Sequence, residues 1–188
     1  MENKEYKIPV SKDKPEYWKA FLRFVILETS LDKVTLQRKR IEIAKNSTDL
    51  KVLFADIHFF LVAITNVMEC LKSLKTILKT DSGLNAIYKK YVPQLKHLKS
   101  FRDNLEHITD GRLEGFGKHN QPLKNSSMLG NLLNDNYNFG GEFFNLVESF
   151  SMIDNLYTEL REWNKVTNVY PLWTDLTQVP KIPSPDNT

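Results

Sequence analysis

Apolar residues recur at helical spacings along most of this chain. Trp18, Phe21, Leu22 and Val25, then Leu31 and Val34, fall at steps of three and four, which predicts one face of a helix from about Pro15 to Ala44. Pro15 suits its first turn. Asn46, Ser47 and Thr48 interrupt the pattern, and each is a candidate N-cap for the next helix. That second helix is expected from about Asp49 to Lys79, apolar almost all round at first and amphipathic later. A third segment starts at Asp81 and Ser82, and Pro93 is expected either to kink it or to begin a new helix. Beyond it, Leu98, Phe101, Leu105 and Ile108 make one apolar stripe. A last helix, from about Glu148 to Lys165, carries the stripe Phe150, Ile153, Leu156, Leu160 and Trp163.

Helical periodicity vanishes between the last two helices. Six of the seven glycines lie between Gly111 and Gly141, among many asparagines. This segment, about 111–146, reads as an irregular insert with a β-hairpin, built from RLEGFG or from SMLGNLL pairing with NYNFGGEFFNL. The expected architecture is all-α: an up-and-down bundle of four to five helices with a small β-hairpin before the last helix. Residues 1–167 read as a single domain and 168–188 as a proline-rich tail.

Length and composition fit that picture. A chain of 188 residues, 41% hydrophobic and 26% charged, can bury a core of its own. Its start, MENKEYKIPV, is polar and does not read as a signal peptide. The most apolar run, VLFADIHFFLVAITNVM, is broken by Asp56, His58 and Asn66, so it reads as a core helix too short to span a bilayer. A cytoplasmic protein without a membrane partner is the expectation. Cys70, alone in an apolar pattern, reads as a buried side chain. Four scattered histidines and one cysteine make no metal-ligand spacing, so neither metal nor cofactor is expected.

Charge is uneven. From Leu71 to Arg102 the chain holds Lys72, Lys75, Lys79, Lys89, Lys90, Lys96, Lys99 and Arg102 against Asp81 alone, whereas 140–175 is mainly acidic. A basic stretch is a solvated surface or a phosphate-binding one.

The segment Arg102-Asp103-Asn104-Leu105-Glu106-His107 ends the third helix, with Gly111 as a C-terminal cap candidate. At 3.6 residues per turn, Asp103 and His107 share the face opposite the core stripe, while Arg102 lies about 140° round from His107. A carboxylate there orients an imidazole and favours its charged form. The plain structural alternative is an Arg102–Glu106 ion pair and a histidine at a helix C-terminus.

The same six residues resemble the arginine–polar–x–x–x–histidine motif of the HEPN superfamily, with Asp103 at its polar position. The motif's place late in a helix of an all-α bundle is similar too. The resemblance implies a metal-independent endoribonuclease or RNA-binding protein, dimeric, with two motifs meeting at the interface. In that reading His107 takes the ribose 2′-hydroxyl proton, Arg102 stabilises phosphate charge, Asp103 orients His107, and RNA is cut through a 2′,3′-cyclic phosphate. Lys72, Lys75, Lys79, Lys89, Lys96 and Lys99 would hold the RNA backbone. A toxin–antitoxin or defence setting, with a protein antitoxin or regulator as partner, is also implied. Some toxin members carry a tyrosine two residues after the histidine; Thr109 stands there. Arg112 and His119, in the insert, either extend the site or sit on a loop. His58 and His97 read as a core and a surface histidine. The rival expectation is a non-enzymatic helical module that binds a partner protein or self-associates.

Overall fold

The computed structural model describes residues 15–47, 49–106, 131–139 and 142–169. In chain order the elements are α1 (Pro15–Lys45), α2 (Leu50–Ile77), α3 (Ser82–Glu106), β1 (Asn131–Leu133), β2 (Asn136–Phe139), β3 (Glu142–Asn145) and α4 (Leu146–Thr167). This is an all-α bundle with a small antiparallel sheet before the last helix, in the order β1-β2-β3. Among the described residues the insert thus forms three strands, β1-β2-β3, where a hairpin was expected. NLL pairs with NYNF, and NYNF pairs in turn with EFFN, placing Tyr137 opposite Phe144. The RLEGFG alternative and the tail from 170 lie outside the described residues.

Local chemistry sets the element ends. Asp49, rather than Asn46, Ser47 or Thr48, caps α2: its Oδ1 accepts from the backbone N–H of Lys51 at 3.0 Å and Val52 at 3.2 Å. Asn145 caps α4 by accepting from Glu148 N at 3.0 Å. The β1–β2 turn is Asn134-Asp135, with φ of 47° and 62°; asparagine and aspartate tolerate this left-handed backbone, which matches the strand twist. Pro93 does not break α3. It is exposed, so water can serve the carbonyl it leaves unpaired, while the buried neighbours Val92 and Leu95 anchor the helix on both sides.

One core joins all four helices and the sheet. The stripe expected on α4 is buried throughout, and Leu98 and Phe101 of α3 are buried, with Leu105 packed against the core. On α1 the expected Leu31 and Val34 are buried and Phe21 and Val25 pack partly buried against the core, but in the first half the fully buried positions are Ala20, Phe24 and Leu27, while Leu22 is 54% exposed. The sheet closes the bundle near the end of α3, where the Phe101 and Phe144 rings meet edge-on at 4.9 Å.

α2 is 28 residues long with a window of mean hydropathy 1.7, and half of that window is buried. Length alone therefore does not exclude a membrane span, contrary to the sequence reading. The buried Asp56 inside it is held by Arg40 Nε at 2.6 Å.

Candidate functional site at the end of α3

The last turns of α3 gather four alternating charges. Arg102 Nη1 donates to Asp103 Oδ1 at 2.8 Å. Its Nε lies 2.9 Å from Glu106 Oε2, close enough for an ion pair but off the line of a hydrogen bond. Lys99 Nζ bonds the second Asp103 oxygen, Oδ2. The Arg102, Asp103 and Glu106 side chains are 27%, 29% and 32% exposed, sheltered enough for these contacts to fix the guanidinium. Partial burial pushes the Asp103 carboxyl upward, but hydrogen bonds from Lys99 and Arg102 outweigh it and hold the group below the ordinary aspartate range.

Spacing along the chain did not reveal the nearest neighbour of this cluster. His58, read as a core histidine, reaches across from α2 and places Nε2 3.7 Å from Glu106 Oε1. That nitrogen is buried without a hydrogen bond. Glu106 therefore stands between the Arg102 guanidinium and the His58 imidazole. Only the tertiary fold brings this about, because His58 and Glu106 are 48 positions apart. His107 lies outside the described residues, as do Ile108, Thr109, Gly111, Arg112 and His119.

The lysines divide into two groups. Lys96 and Lys99 lie within two turns of Arg102. α2 runs antiparallel to α3, with His58 beside Glu106 and Lys75 Nζ 4.7 Å from the centre of the Tyr88 ring. Lys72, Lys75, Lys79 and Lys89 therefore sit near the opposite end of α3, about 20 Å from Arg102 at 1.5 Å per residue. Lys72 is paired with Glu69 at 2.9 Å. Lys79, Lys89 and Lys96 have no ion-pair partner among the described residues. The basic stretch is thus a track along the α2–α3 pair and not one patch.

Tyr91 and Phe101 are buried, and Tyr88 packs partly buried against the core. Burial raises the Cys70 thiol, which suits an inert side chain. Among the described residues no group of three or more His, Cys, Asp or Glu is placed to hold a metal ion. An open cleft of about 590 Å³ lies between α3, the sheet and the start of α4; His97, Gln94, Phe143 and Glu148 are on its walls, and no residue of the Arg102 cluster lines it.

Comparison with models of known protein families, with curated proteins and with solved structures finds no match.

Proposed function

We propose that this chain is a HEPN-type, metal-independent endoribonuclease or RNA-binding protein that acts as a homodimer in the cytoplasm. The observation that supports this best is Arg102 itself, an arginine sheltered at the end of α3 between Asp103 and Glu106. An arginine oriented in advance can stabilise a phosphorane-like charge with little reorganisation, once phosphate displaces one of its carboxylates. His107, five positions on, would remove the 2′-hydroxyl proton. Five positions of an ideal helix would set the two residues about 140° apart, so the arginine of one subunit would work with the histidine of the other. Lys96 and Lys99 would guide the RNA backbone to the site, and the distant lysines would hold flanking nucleotides. A toxin or defence role, with an antitoxin or regulator as partner, follows from the same reading.

The test is cleavage of single-stranded RNA in EDTA. Wild type should cut, His107→Ala should not, and Arg102→Ala should lose roughly 10²–10³-fold in rate, the scale of one preorganised charge-stabilising group. Replacing Lys75 and Lys79 should weaken binding and flatten its salt dependence without stopping the chemistry. Equal behaviour of wild type and His107→Ala would end the nuclease reading.

The non-enzymatic reading has its own support: the Arg102–Glu106 contact is the i,i+4 ion pair that an ordinary helix end makes. It predicts that Glu106→Gln lowers stability slightly and leaves RNA binding, if there is any, unchanged.

A further inference from the structure

The most apolar helix of this bundle is covered on only part of its circumference. Half of the most hydrophobic window of α2 is unburied, and α1 beside it is similarly bare. On α1, Leu22, Ile26, Leu36 and Ile43 are 54%, 45%, 55% and 72% exposed. Thr29, Lys33 and Arg40 fill the gaps, so this seam advances by alternating steps of four and three over its whole length. On α2, Val52 and Phe59 are 43% and 55% exposed, with Ala55 and Val62 completing a second seam of the same step. Arg40 belongs to the α1 seam, and its guanidinium crosses to Asp56 of α2. The two seams therefore border one groove.

A 3.5-residue repeat is the spacing that stays in register with another helix, where side chains of one fill holes of the other. Charge narrows the partner. Lys19, Arg23, Lys33 and Lys51 have no ion-pair partner among the described residues. The acids near the groove are otherwise engaged: Glu42 contacts Lys45 and Glu69 contacts Lys72. Glu28 and Asp32 lie on the α4 side, where both act on Tyr157. A second copy of this chain would bring uncompensated cations against cations, which disfavours it.

We propose that the groove between α1 and α2 takes one amphipathic helix of a partner protein, with an apolar heptad seam facing inward and glutamates or aspartates on its flanks. This surface is separate from the polar end of α3, although Phe59 directly follows His58, so one end of the groove adjoins the Arg102 cluster. The proposal does not depend on RNA chemistry.

The full chain can be titrated with a labelled helical peptide of about four heptads, carrying leucine and isoleucine in the seam and glutamate on both flanks. A twin with lysine flanks is the control, and fluorescence anisotropy is the readout. The acidic peptide should bind at least about tenfold tighter than the basic one, and salt should weaken it. The double change Ile26→Glu and Leu36→Glu alters exposed positions, so helix content should be unchanged while binding falls about tenfold or more. The proposal is overturned if neither peptide binds, if both bind alike, or if the double variant binds as well as wild type. It is also overturned if sedimentation shows a dimer that the double variant dissociates. Anionic phosphatidylserine vesicles bound through this face, with no peptide binding, would assign it to a membrane surface instead.

Discussion

Trp163 Nε1 donates to Asp81 Oδ1 across 3.0 Å, inside the bundle. The same oxygen accepts the backbone N–H of Leu84 at 2.7 Å. One carboxylate oxygen thus caps α3 and ties it to the last turns of α4, and both side chains are almost fully buried. Asp81→Ala should therefore cost about 2–3 kcal/mol, a lost cap of about 1 kcal/mol plus an indole donor left without a partner. Trp163→Phe, which leaves the cap in place, should cost less through this bond, beyond its loss of ring area. Urea denaturation measures both; an Asp81→Ala effect within about 0.5 kcal/mol of zero would remove the dual role.

Gly83 lies under the same indole. A Cβ there would sit 3.1 Å from Trp163 Cδ1, and the ring cannot easily give way because Asp81 holds the adjoining Nε1. Alanine in a helix normally gains up to about 1 kcal/mol over glycine. Here Gly83→Ala should instead lower stability by about 1 kcal/mol, the usual scale of overpacking. In a Trp163→Phe background the same change should turn neutral or favourable, and a double-mutant cycle reads that coupling directly.

Burial raises the Tyr137 hydroxyl to about 12. Its folded value thus lies above the ordinary 10.0, so the stability it contributes is complete below pH 10 and is lost as pH rises through about 12. Absorbance titration should show one tyrosine ionising with unfolding at that end of the range. Tyr137→Phe should fold at neutral pH and resist alkali better; unchanged alkaline stability would show that Tyr137 is not the group that fails.

Asp103 titrates in the opposite sense. Its folded value lies below the ordinary 3.8 because bonds from Lys99 and Arg102 outweigh partial burial. The stability it contributes is present above that value and is lost as pH falls through the lower folded one. Carboxyl carbon NMR should place its midpoint below 3.8, and Arg102→Met or Lys99→Met should move it upward. A midpoint unmoved by either change would mean that the three groups do not share the arrangement described.

The sequence by itself determined where the helices lie and that a glycine- and asparagine-rich insert separates the last two. It also determined which face of α4 is buried. These follow from backbone propensity and a 3.6-residue period, which neighbours in the chain fully specify. Tertiary structure decided the rest. The sequence placed Leu31 and Val34 inward correctly, but in the first half of α1 Leu22 and Phe24 are equally apolar, and only the packing of the neighbouring helices chooses between them. Asp49 caps α2 in preference to three preceding candidates because tertiary placement sets which side-chain oxygen meets the free N–H groups of Lys51 and Val52. Pro93 stays within α3 because buried residues on both sides hold the helix through it. The lysine stretch became a track because α2 and α3 run antiparallel, carrying Lys72 and Lys99 toward opposite ends. His58 joined the Arg102 cluster for the same reason: the chain doubles back, and a contact between positions 48 residues apart leaves no period or motif in the sequence.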